Sequence, residues 1–144
     1  MKDDASITVA LIASGRSVRI TPHGKSMLPL LNGKTDTVVV GPLQGAPKKG
    51  ALVLYREAGG DLAVHRVMRA QAEAGVCDIL GDGNEMPERG VPLTDVYGRV
   101  ERICRNGREF STQNLFYLFY VWVWTHTKRF RRRLLQLAEK YTKA

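Results

Sequence analysis

Short apolar runs broken by glycine, proline and asparagine fill the first 110 residues, and a long aromatic run comes after them. The runs at 17–21, 37–40, 51–56, 62–70, 76–80, 96–103 and 108–110 are rich in β-branched and aromatic residues and read as strands. Their breaks carry turn chemistry: Gly41-Pro42, Lys48-Lys49-Gly50, the loop 57–61 and Asn106-Gly107, the last a hairpin signal. Within 62–70 a period of two sets Ala63, His65 and Val67 on one face and Val64, Arg66 and Met68 on the other. Residues 81–92 read as a loop. At the N-terminus, 5–14 reads as a short helix ended by Gly15. The pattern predicts a mainly β protein with a compact, barrel-like antiparallel body.

The C-terminal segment breaks with this rhythm. Residues 115–124 are ten consecutive apolar or aromatic residues, a helix of only about 15 Å, too short to span a bilayer. Beyond them Phe130, Leu134, Leu137 and Tyr141 fall on one helical stripe among Arg129, Arg132, Arg133 and Lys140. The chain thus divides into a β domain, 1–110, and an aromatic and basic extension, 111–144. Either the aromatics complete the β core with a basic amphipathic helix packed on it, or the extension meets an anionic membrane surface.

Charge bears on that choice. The net charge is +8, of which residues 111–144 carry +6, so basicity belongs to the extension. Aromatic and basic residues form separate blocks there instead of interleaving, and no nucleic-acid partner is expected. At 144 residues and 44% hydrophobic the chain supports one core. Cys77 and Cys104 could pair or stay free, and no Cys-x-x-Cys or His/Cys cluster suggests a metal or cofactor. Met-Lys-Asp-Asp at the start lacks the basic and apolar regions of a secretory signal. The expected location is the cytoplasm, with the inner membrane face as the site of any peripheral contact.

The stretch with chemical promise is Gly24-Lys25-Ser26-Met27-Leu28-Pro29. A serine at a bend after a strand can keep its hydroxyl free, with backbone N–H groups nearby for an oxyanion. Gly24, Lys25, Met27 and Pro29 frame it as oxyanion- and substrate-binding positions. The plainer reading of the same residues is an ordinary turn. A serine needs a base. His65 stands 39 residues on, and a neutral imidazole could take the hydroxyl proton and return it to a leaving amine. A lone histidine on a half-apolar strand is otherwise structural. His23 reads as a loop residue, Lys25 points away from its neighbour Ser26, and His126 has no evident partner. Asp82 and Glu88 are candidates for the carboxylate that orients the imidazole; their loop lacks the ligand spacing of an EF-hand.

Taken in order, Gly-Lys-Ser-Met-Leu-Pro-Leu-Leu (24–31), Gly-Ala-Leu-Val-Leu-Tyr-Arg (50–56), Val-His-Arg-Val (64–67), Leu-Gly-Asp-Gly-Asn (80–84) and Val-Tyr-Gly-Arg-Val (96–100) resemble the successive boxes of the signal peptidase and LexA-like serine peptidase superfamily. The resemblance implies Ser26 as nucleophile and His65 as base, where many bacterial members have lysine. It also implies Glu88 before Arg89-Gly90 as the third member, with Asp82 the box aspartate. The usual Gly-Asp-x-Val segment is spaced out here over 33–38, and the expected N-terminal anchor is missing. The activity implied by the resemblance is that of a serine endopeptidase, acting on a peptide or precursor protein through a Ser26–His65 dyad or triad. The alternatives are an inactive peptide-binding or membrane-associated accessory module and, behind it, a self-cleaving regulator. Only 25 residues precede Ser26, too few for the DNA-binding domain the regulator needs.

Overall fold

The computed structural model describes residues 2–28, 30–126 and 131–142. Helix α1 (Lys2–Ala13) precedes eight strands: β1 (Val18–Ile20), β2 (Thr37–Pro42), β3 (Leu52–Arg56), β4 (Leu62–Gln71), β5 (Val76–Leu80), β6 (Glu88–Pro92), β7 (Val96–Arg105) and β8 (Arg108–Ser111). Helices α2 (Leu115–His126) and α3 (Arg131–Thr142) close the chain. Gly15, at a φ of 93°, ends α1 in a conformation that other residues adopt only with strain. Asn106 and Gly107, both at positive φ, turn β7 into β8.

The strands form one antiparallel sheet in the order β1-β2-β7-β3-β4-β5-β6, with β8 on β7. It is mainly β, as the pattern predicts, but the barrel-like expectation needs correction, because β1 and β6 lie at opposite ends and the sheet stays open. β1 has three residues before Pro22 leads the chain away, and β6 carries Gly90 at positive φ and ends on Pro92. Neither end is built to extend a ladder. β6 itself falls within the span expected to be a loop. One side chain in it, Val91, is buried.

Alternation along the strands builds a core on each face. Val38, Val40, Leu52, Leu54, Val64 and Val100 meet Ile12 of α1, Met27, Leu31 and Tyr117 of α2. Val53, Tyr55, Val67, Cys77, Ile79, Val91 and Val96 form the second core. Between Met27 and β2 the chain is pinned by Asp36, fully buried, which accepts the Asn32 N–H at 2.9 Å and pairs with Arg105 at 2.6 Å. Burial pushes its carboxyl up, but these donors outweigh that and hold its pKa below the usual value.

On the first face sits a buried ion pair. Arg66 and Asp82 are 0% and 1% exposed and bond as a fork, Nε to Oδ1 and Nη2 to Oδ2, each at 2.7 Å. The remaining Arg66 nitrogen donates to the Gly50 carbonyl at 2.8 Å and the Tyr117 hydroxyl at 3.2 Å, and Tyr120 donates to Asp82 at 2.9 Å. Burial works against the charged guanidinium, yet the Asp82 carboxylate overrides it and drives the pKa above its usual value. Asp82→Asn leaves a buried cation uncompensated and is expected to cost about 3–5 kcal/mol, the range for breaking such a pair from one side. Urea denaturation of the full chain measures it; a loss under about 1 kcal/mol, ordinary for a surface pair, contradicts the assignment.

Candidate active site

Ser26 sits in the turn that leaves β1, half-buried, with Met27 and Leu28 driven into the interior behind it. His65 lies on β4, 6% exposed. The fold brings them together: Nε2 of His65 is 2.9 Å from Oγ of Ser26. The loop after β5 holds the serine in place. Gly83 N–H donates to the Ser26 carbonyl at 2.7 Å, and Asp82 N–H donates to the Met27 sulfur at 3.4 Å. A Cβ on Gly81 would lie 2.4 Å from the Ser26 carbonyl oxygen, and one on Gly83 would lie 2.6 Å from that of Lys25. Both positions need glycine because the serine turn passes so close.

The other imidazole nitrogen meets a residue that sequence reasoning missed. His65 Nδ1 is 2.8 Å from the Tyr55 hydroxyl, and that hydroxyl donates to Oε2 of Glu88 at 2.9 Å. Glu88 therefore stands one phenol away from the histidine, and its Oε1 accepts the Ala58 N–H at 3.0 Å. Asp82 does not approach the imidazole as an orienting group; its carboxylate is taken by Arg66 and Tyr120. The signal for Tyr55 was present in the hairpin. With Arg56 paired to Leu62, Val53 faces His65 and Tyr55 faces Ala63. That puts Tyr55 diagonally beside His65 on the same face, within reach of an aromatic side chain.

Counting protons fixes the tautomer. A phenol has one hydrogen, and Tyr55 gives it to Glu88, so toward His65 it can only accept. Nδ1 then carries the imidazole proton, and the Nε2 lone pair faces the Ser26 hydroxyl. That is the arrangement of a general base. Burial drives the Tyr55 pKa well above its usual value, and the Glu88 bond adds to it, so the phenol keeps its proton. Burial also lowers the His65 pKa below 6.5, partly offset by the charges of Glu88 and Asp82. The imidazole is accordingly neutral near pH 7.

Of the other expected positions, Lys25 and His23 are exposed, and Gly24 adopts a φ of 85°. Pro29 lies outside the described residues. No backbone N–H of Gly24, Lys25 or Ser26 donates to a partner among the described residues. Among the described residues, His126 bonds within its own helix, with Nδ1 2.8 Å from the Trp122 carbonyl oxygen. Among the described residues no group of three His, Cys, Asp or Glu side chains converges as metal ligands would.

Two hollows flank the pair. A groove of about 940 Å³ runs from Ser26 past Ile20–His23, Leu54 and Leu62–Val64, with Ala5, Ser6 and Thr8 of α1 along it. A smaller one of about 340 Å³ lies beyond His65, against Tyr55, Ile79, Pro87 and Glu88. β5 pairs with β4 only from Arg66 onward, so the β4 edge at Leu62–His65 is open beside the larger groove. No protein-family model matches the chain, and no curated protein matches it significantly. The chemistry of the site therefore rests on its own geometry.

Two outcomes test the relay without any substrate. Nitrogen-15 NMR is expected to show His65 in the Nδ1–H form, and Tyr55→Phe should populate both tautomers, since the acceptor is gone. A wild-type Nε2–H form would contradict the proton count. In a pH titration of the same signals the His65 midpoint should fall below 6.5. Glu88→Gln should lower it further, because the removed charge favours the imidazolium. An unchanged or raised midpoint refutes that role. The sign carries to stability: the folded state resists protonating His65, so this group's contribution falls as pH drops from about 6.5 through the lowered value and is flat above.

Proposed function

We propose that the chain is a serine endopeptidase in which Ser26 is the nucleophile and His65 the general base. The observation that carries this reading is the 2.9 Å contact between Ser26 Oγ and the unprotonated nitrogen of His65. Ser26 attacks the scissile carbonyl as its proton passes to Nε2. The negative charge that develops on the carbonyl oxygen is met by the N–H groups of the 24–26 turn, which are unengaged among the described residues. Collapse expels the amine, which takes the proton back from Nε2, and water then releases the acyl group by the same path reversed. Throughout, Tyr55 holds Nδ1–H, with Glu88 behind it.

The groove supports a peptide as the substrate class. An extended chain entering beside Leu62–Val64 finds unpaired backbone groups with which to add a strand, while its side chains meet Ile20, Met27 and Leu54. The family resemblance of the five sequence boxes points the same way and adds a preference for small side chains such as alanine near the cut.

The test is cleavage of a diverse synthetic peptide mixture by the full chain, read by mass spectrometry. Ser26→Ala and His65→Ala are each expected to reduce cleavage by a factor on the order of 10³ or more, and the double variant to lose little beyond either single one. Undiminished hydrolysis by Ser26→Ala overturns the reading.

A further inference from the structure

The outer face of α2 carries large apolar side chains that none of the described residues covers. Leu115, Phe116, Phe119 and Trp122 are 81%, 87%, 65% and 58% exposed. Phe119 and Trp122 stack on each other with centroids 6.4 Å apart. The helix is not free to roll this face inward. Tyr117 and Tyr120 bind the buried Arg66–Asp82 pair from its inner face, Trp124 is 1% exposed, and Asn114 caps its first turn through Phe116 N–H. α3 leaves apolar groups outside as well: Leu137 and Tyr141, one turn apart, are both exposed, as are Arg133 and Lys140. Phe130, expected on the same helical stripe, and Arg129, expected beside it, lie outside the described residues. Single exposed apolar residues are ordinary; a pinned stripe of this kind is not.

We propose that α2 and α3 seat the protein on an anionic lipid bilayer, lying in its interface without crossing it. No described helix is long and apolar enough to cross a membrane. The twelve residues of α2 extend about 18 Å, against the roughly 30 Å of a hydrocarbon core. Phenylalanine and tryptophan on one face suit the headgroup boundary, where the ring is buried and the indole N–H stays hydrated. Charge selects this occupant over a second copy of the chain. Residues 111–144 hold seven Lys and Arg against Glu139, so two copies meeting here would bring two segments of +6 together. Anionic headgroups neutralise the same charge. The proposal rests on this surface alone and does not require the peptidase reading.

Flotation of the full chain with vesicles tests it. The protein should float with phosphatidylcholine–phosphatidylglycerol vesicles and at least about tenfold less with phosphatidylcholine alone, and added salt should weaken the binding. Phe119→Ser combined with Trp122→Ser should reduce flotation by about tenfold or more. Both residues are exposed, and an unchanged melting curve checks that the fold survives. Arg133→Glu with Lys140→Glu should remove the preference for anionic lipid. The proposal is overturned if the wild type stays at the bottom with mixed vesicles, or if the Phe119/Trp122 variant floats equally well. A wild type that fails to float but dimerises through the same residues assigns the face to a second copy and overturns it too.

Discussion

Arg66 and Asp82 form the contact on which the separate parts of this molecule converge. Arg66 belongs to β4, Asp82 to the loop that supports Ser26, Gly50 to the turn before β3, and Tyr117 and Tyr120 to α2. Burying two charges is expensive, and the expense is offset here only because the guanidinium nitrogens and the carboxylate oxygens all find partners. The pair is therefore a weak source of net stability but a strict specifier of geometry. Any arrangement that shifts the 81–84 loop or lifts α2 exposes one member to a site without its complement. Since Gly83 donates to the Ser26 carbonyl, the same constraint reaches Ser26.

Adjacent residues on a strand point to opposite faces, and β4 thereby sets the ion pair on one face and the candidate site on the other. Arg66 faces the α2 side. His65 faces Tyr55, with ring centroids 5.5 Å apart, and reaches Ser26 at the rim. The histidine thus sits beside a rigid anchor without being part of it. Its own bonds go to one phenol and one hydroxyl, and its backbone position is fixed by its register against Val53. The histidine and the ion pair remain coupled through charge, since the Asp82 carboxylate raises the His65 pKa against the effect of burial.

Much of this was legible in the chain. Strands with a period of two and turn glycines gave the antiparallel body, and the chemistry of the two residue types with the resemblance of their sequence boxes made Ser26 and His65 a candidate pair that the fold brings to 2.9 Å. Four features were not. β6 was hidden because one of its side chains, Val91, is buried and its glycine and proline read as loop. The residues themselves offered both Asp82 and Glu88 as carboxylates, and only the family resemblance favoured Glu88; what divides them in the structure is the prior claim on Asp82 of Arg66, a cation whose burial no local pattern reveals. Tyr55 looked like one more β-former, since its role depends on hairpin register. The open sheet was obscured too, because short strands with frequent turns describe a closed barrel and an open sheet equally well.

Tyr55 between His65 and Glu88 has an electrostatic consequence of its own. A carboxylate bonded directly to Nδ1 stabilises the imidazolium strongly and raises its pKa. Here the phenol takes the orienting role, while the charge acts from one side chain farther away. Burial then dominates, and the His65 pKa falls. The imidazole is neutral near pH 7, and it is intrinsically a weaker proton acceptor than one braced directly by a carboxylate. Orientation and charge stabilisation, usually supplied by one group, are divided between two. The imidazole keeps its tautomer with no carboxylate bonded to it, so under the proposed peptidase reading more of the charge stabilisation falls to the N–H groups of the serine turn.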